Sequence, residues 1–98
     1  MIEAFQNINK AFESKVRLGI MAVLMVNEDA DFNTLNEIFS LTDGNLASHT
    51  RALEELGYIV CQKSFVGRKP KTSFRATSEG KKAFKTHIEA LENFLKST

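Results

Sequence analysis

Apolar residues along this chain recur at spacings of three and four over most of its length. They change to a strand-like pattern in one basic stretch. Ile2, Phe5, Ile8 and Phe12 form a single stripe, which predicts a short helix over residues 2–12. Ser14 has the chemistry of an N-cap, and Lys15 to Val26 then reads as a helix apolar nearly all round. A helix without a polar face belongs at the centre of a domain, and Gly19 and Ala22 leave room for a neighbouring helix. Asn27 to Ala30 is a polar turn, and Asp31-Phe32 suits a very short strand. Asn33 is positioned to cap a helix over Thr34 to Phe39 that buries Leu35, Ile38 and Phe39. After the turn Ser40-Leu41, Thr42 caps a further helix, with Asp43 in its first turn where the helix dipole favours an acid. That helix runs to Leu56, and Gly57 ends it.

Unrolled at about 100° per residue, this helix puts Leu46, Thr50 and Leu53 on one side, flanked by Leu56. Gly44, Ser48, Arg51 and Glu55 fall on the other, with Asn45 and Ala52 beside them. Tyr58 to Phe65 is rich in β-branched and aromatic residues and reads as a strand. Gly67 to Lys71, holding the only proline, predicts the turn, and Ser73 to Ala76 the returning strand. Thr77 caps a last helix in which Phe84, Ile88, Leu91 and Leu95 repeat at four, three and four, widened by His87 and Phe94. The predicted architecture is therefore mostly α with a small β-hairpin (α+β), in one domain over residues 1–98. Helix, tight turn, helix and basic hairpin, in that order, form the layout of a winged helix-turn-helix, a module that lays one helix in the DNA major groove.

Charge sharpens that picture. The net charge is only +1, but residues 56–78 carry five bases (Lys63, Arg68, Lys69, Lys71, Arg75) and no acid. Residues 1–55 carry nine acids and four bases. Positive charge gathered in a hairpin suits a phosphate-contacting wing, and equally a solvated hairpin whose cations discourage edge pairing. The exposed face of the second helix is small or hydrogen-bonding, so it can sink into a groove; Asn45 and Arg51 can pair with adenine and guanine edges. A plain solvated face would have the same composition. Thr34 and Thr42, at helix N-termini, are placed to donate to phosphates, and His49 to pack between helices or touch phosphate.

The two terminal stripes supply more apolar surface than so small a body needs. They predict extra N- and C-terminal dimerisation helices, with Ile2, Phe5, Ile8, Phe12, Phe84, His87, Ile88, Leu91, Phe94 and Leu95 at a two-fold interface. The other outcome is that both stripes fold back onto their own domain.

Across Phe12 to Leu95 the chain resembles the small winged-helix transcriptional regulators related to the MarR and ArsR families. The segments that carry the likeness are Val16 to Met21, Phe32 to Leu35, Leu41 to His49, Ala52 to Ile59, Phe65 to Pro70 and Arg75 to Gly80. The resemblance implies a homodimeric, sequence-specific DNA-binding regulator acting on an inverted-repeat operator. By that likeness Thr42, Gly44, Asn45, Ser48 and Arg51 face the groove, and Arg68, Lys69 and Lys71 form the wing tip. Thr50 stands where the family usually has leucine, and its methyl group can still face inward.

Catalysis finds no support in the motifs. The chain has no Gly-rich phosphate loop, no GxSxG, no HExxH and no Cys-x-x-Cys, so neither an enzyme nor a metal or other cofactor is expected. His49 and His87 lie in different helices, and a buried interface histidine at position 87 could sense pH. Cys61, the only cysteine, cannot form an internal disulfide and reads as a strand residue packed against the core. No apolar run approaches the roughly 20 residues that span a bilayer, and there is no secretory leader, so a cytoplasmic protein without membrane contact is expected. Two other readings stay open: a winged-helix protein-interaction module without direct DNA binding, and a regulator that senses a ligand or redox change through an effector pocket near the dimer helices.

Overall fold

The computed structural model describes residues 2–97. Helix α1 (Ile2–Gln6) and a 3₁₀ turn (Lys10–Glu13) precede α2 (Lys15–Val26). Strand β1 (Ala30–Asp31) leads directly into α3 (Phe32–Phe39), and α4 (Asp43–Glu55) follows. The hairpin β2 (Ile59–Val66) and β3 (Lys69–Ala76) then leads into α5 (Ser78–Ser97). The strands form one antiparallel sheet in the order β1-β3-β2. The fold is the expected α+β winged helix, and the very short strand expected at Asp31-Phe32 lies one residue earlier and pairs with the hairpin.

The core is built where the stripes converge. Ile20, Met21 and Leu24 of α2 meet Leu35 of α3, Leu46 and Leu53 of α4, and Ile59, Phe74 and Ala76 of the sheet. Ser14 caps α2 by accepting from the Arg17 N–H at 3.3 Å. Gly19 lets α3 approach: an added Cβ would lie 2.5 Å from the Phe39 ring. Ala22 is exposed, so it opens no such approach, and Val26 is exposed at the helix end. Thr50 is buried, and its hydroxyl donates to the Ala47 carbonyl at 3.1 Å, so the polar atom is satisfied within its own helix.

Several expectations are corrected. The first stripe is not one helix. The chain turns at residues 7–9, where the Asn9 side chain accepts from the Ala11 N–H and starts the 3₁₀ turn. Phe12 is therefore carried into this chain's own core, edge-on to Phe84 with ring centroids 5.7 Å apart. Asp31, not Asn33, caps α3; its carboxylate accepts from the Thr34 N–H at 2.7 Å, and the helix starts two residues earlier than expected, directly after the pairing of β1 with β3. Ile38 is exposed rather than buried.

The predicted turn also shrinks. Only Gly67 and Arg68 connect the strands, with Gly67 at φ +64°, which suits a two-residue turn of type II′. Lys69, Pro70 and Lys71 belong to β3. Pro70 sits opposite Phe65, one step from the Val66–Lys69 pair that closes the turn. That places it at a pair without ladder hydrogen bonds, where a missing N–H costs nothing.

The terminal helices first pack on each other within one chain, with the Phe5 and Phe94 rings 5.9 Å apart. His87, expected at an interface, is instead buried inside the chain. Its Nδ1 accepts from the Asn9 N–H at 2.9 Å, and the Asn9 amide donates to the Tyr58 hydroxyl at 3.0 Å. Ile8, Phe84, Ile88, Leu91 and Phe94 are half-buried, whereas Ile2 (71%), Phe5 (62%) and Leu95 (73%) stay exposed. No helix among the described residues is long and apolar enough to cross a membrane.

Candidate nucleic-acid interface

Helix α4 is held by its buried stripe, so its opposite face is fixed outward. Gly44, Asn45, Ser48 and Arg51 are all exposed, as the helical unrolling predicts. The Thr42 hydroxyl accepts from the Asn45 N–H at 3.2 Å and keeps its own proton free to donate outward. Gly44 meets no atom within 4 Å of where a Cβ would stand. Nothing inside the molecule requires a glycine there.

Beyond α4 stands the hairpin. The alternation of β2 puts Ile59, Cys61, Lys63 and Phe65 on one face, paired with Ala76, Phe74, Thr72 and Pro70 of β3. This face looks across an open groove of about 710 Å³ toward Ala47, Thr50, Arg51 and Glu54 of α4. Arg51 and Lys63 place cations on its two sides, and Glu54 adds one acid at the end away from the α4 N-terminus. Arg68, Lys69 and Lys71 are exposed at the distal end of the hairpin, though on the turn and β3 rather than on one loop. A polyanion about as wide as a nucleic-acid strand could lie between helix and hairpin with a cation on either side.

Some predicted residues are turned elsewhere. His49 stands three residues after Leu46 and four before Leu53, on the flank of the buried stripe. Its Nδ1 accepts from Nε of Arg17 at 3.1 Å, so it ties α4 to α2. Burial first, and the Arg17 charge second, hold its pKa below the ordinary histidine value. Thr34 is exposed, but its N–H and hydroxyl both serve Asp31, whose pKa they lower. A carboxylate at that helix start opposes a phosphate. Cys61 is exposed in the groove, not packed into the core, because the hairpin leaves the body after Ile59. Among the described residues no three of His, Cys, Asp and Glu converge as a metal site.

Arg17 escaped the sequence reading. Its guanidinium is anchored by His49 beside α4. The signal was available: it is the single charged residue within the apolar run from Val16 to Val26.

Comparison with known proteins gives a consistent picture. Residues 16–95 match the family described as winged helix DNA-binding domain. An uncharacterised protein from Methanocaldococcus jannaschii is 43% identical over 79 residues, covering 81% of this chain and 86% of that protein. A transcriptional regulator homologue from Pyrococcus horikoshii OT3 superposes with a TM-score of 0.87 at 32% identity, over 97% of this chain and 96% of that one. MepR of Staphylococcus aureus, solved as a DNA complex, superposes with a TM-score of 0.76 at 14% identity, over 96% of this chain and 77% of its own, which shows a shared fold.

Proposed function

The chain belongs to the winged helix DNA-binding domain family, and from that premise we propose that it is a sequence-specific DNA-binding transcriptional regulator that acts as a homodimer. The carrying observation is the exposed Gly44/Asn45/Ser48/Arg51 face of α4, whose Arg51 borders an open groove shared with an acid-free hairpin. In this reading α4 enters the major groove, where Asn45, Ser48 and Arg51 meet base edges. Gly44 lets the helix backbone come close to the bases, and Thr42 donates to a phosphate. Lys63, Arg68, Lys69 and Lys71 grip the backbone of the adjoining turn, with Arg17 as an additional fixed cation.

Two copies would be joined through the exposed terminal residues Ile2, Phe5 and Leu95. A two-fold dimer sets its reading helices one DNA turn apart, roughly 34 Å, and so calls for an inverted-repeat operator. The P. horikoshii relative is described as a transcriptional regulator homologue, and the MepR structure contains DNA; both support the assignment.

Selection of bound fragments from a genomic library tests this directly, with affinity then measured by fluorescence anisotropy across a salt series. The expected result is an inverted-repeat motif and an affinity that falls steeply with salt. Replacing Arg68, Lys69 and Lys71 together by alanine should weaken binding to every sequence and reduce the log–log salt slope by about three, at roughly 0.9 per lost phosphate contact. Arg51→Ala should instead relax sequence preference. A protein that retains no duplex even in dilute buffer is not a DNA-binding regulator.

A further inference from the structure

We propose that Phe65, at the end of the hairpin, is an apolar wedge for the DNA minor groove that bends the duplex at the outer edge of each half-site. The inference rests on the DNA-binding reading above and adds a bending function to it.

Every residue of β2 after Ile59 is exposed, and Phe65 (73%) and Val66 (64%) are the large apolar side chains at its far end. Burial on the partner strand ends at Ser73, which pairs with Gln62. From Gln62 to Val66 the hairpin therefore reaches about 13 Å beyond the body, at some 3.3 Å per residue. That exceeds the minor-groove depth of about 7.5 Å.

The tip is also stiff. Phe65 stands opposite Pro70, and the Gly67-Arg68 turn closes one pair further on. Proline fixes its own φ, and a two-residue turn leaves little slack. Phe65 and Pro70 thus form a short apolar ridge. By strand alternation it continues the face of Lys63, which lines the groove opposite Arg51. A duplex seated against that groove runs past the ridge.

Folding does not call for this phenylalanine, because a side chain this exposed buries little area. Exposed strand edges are ordinarily blunted with charge. Here cations flank the aromatic ring instead of replacing it: Lys63 on its own face, Arg68 in the turn, and Lys69 and Lys71 on the opposite face of β3, with no acid between residues 56 and 78. A cationic collar around an apolar tip selects a polyanion with an apolar interior. It disfavours a second copy of the same tip, whose collar carries the same sign. Stacked bases behind phosphates fit that description. Apolar side chains inserted at a base step unstack it and kink the helix by about 20–90°. Pyrimidine–purine steps yield most easily.

The test uses the full chain, Phe65→Ala, Phe65→Leu and the triple Arg68/Lys69/Lys71→Ala variant. Wild-type binding is first measured on a mixed-sequence duplex of about 40 bp, long enough for two half-sites with flanks, in dilute buffer. Failure there removes the DNA reading itself and this proposal with it. Each protein is then used to select duplexes from a random library, and bending is read by energy transfer between the duplex ends. Phe65→Ala should bind about tenfold more weakly, in line with the loss of one stacking contact. It should leave the selected duplex nearly straight, and its selected motif should lose one dinucleotide preference per half-site. Its salt slope should equal wild type, since no charge is removed, whereas the triple variant flattens the slope. Phe65→Leu should keep most of the bend. A Phe65→Ala protein with wild-type affinity and bend overturns the wedge. So does one that loses self-association while DNA bending persists, because that outcome assigns the tip to a protein contact.

Discussion

Gly44 is the residue whose chemistry and conformation part company. A glycine inside a helix costs roughly 0.5–1 kcal/mol relative to alanine, yet nothing in the molecule crowds this one. Gly44→Ala should therefore raise the unfolding free energy by up to about 1 kcal/mol in a urea titration. The same methyl would stand between α4 and the bases, so anisotropy should show weaker operator binding. Gains in both would mean that this face does not meet DNA. Residues like Gly44, Asn45, Ser48 and Arg51 were legible because helical geometry alone turns them outward once Leu46 and Leu53 are buried. Asp31 and His49 were not. Two capping side chains, Asp31 and Asn33, compete for α3, and the pairing of Ala30 and Asp31 with Phe74 and Ser73 chooses between them. His49 is claimed by Arg17, 32 positions away. No local pattern encodes either partner.

At the level of elements, Gly80 of α5 rests directly on the Tyr58 peptide that leads into the hairpin. A Cβ on Gly80 would stand 2.0 Å from the Tyr58 carbonyl oxygen, a contact with backbone that cannot turn aside. Gly80→Ala should destabilise the protein by about 3 kcal/mol, the upper range for forcing extra volume into a packed site, as measured by denaturant midpoint. A wild-type midpoint would show that the joint is loose. The helices themselves could be read from apolar spacing, since Lys15–Val26, Asp43–Glu55 and Ser78–Ser97 each bury one stripe. The strand–turn boundary could not. Pro70 is a turn signal by composition, but here it occupies a pair that needs no N–H, and such a position is visible only once the register is known. The N-terminal stripe misled for the opposite reason. Its spacing is helical, but Asn9 finds better partners in His87 and Tyr58 than a helix would offer it.

The molecule is elongated, measuring 54 × 25 × 21 Å. Assembly and pH response belong to this scale. Ile2 is exposed, so Ile2→Asp should leave the circular dichroism unchanged while converting a dimer to a monomer in light scattering and weakening operator binding sharply. A monomeric wild type would remove that interface. Acid should act through His87. Burial lowers its folded pKa below 6.5, so between those two values the unfolded chain holds more protons than the folded one. Stability is then complete above about pH 6.5 and declines as pH falls through the folded pKa; His49 shifts the same way. Protonating Nδ1 also forfeits the bond from Asn9. His87→Gln should flatten that decline in urea titrations at successive pH values, and an unchanged slope would assign it elsewhere.

Tyr58 is where these scales join. Its carbonyl accepts from the Thr77 N–H at 3.0 Å, Thr77 donates its hydroxyl to Gly57 at 2.6 Å, and Gly80 rests against the same peptide. The hairpin is thus tied at its root to the C-terminal helix. The four steps from Gln62 to Val66 leave a free arm of about 13 Å, so a tilt of about ten degrees where it leaves the body swings its far end through about 2 Å, roughly a third of the width of a minor groove. A small shift of α5 against Tyr58 would therefore move the fingertip by a sizeable part of that groove.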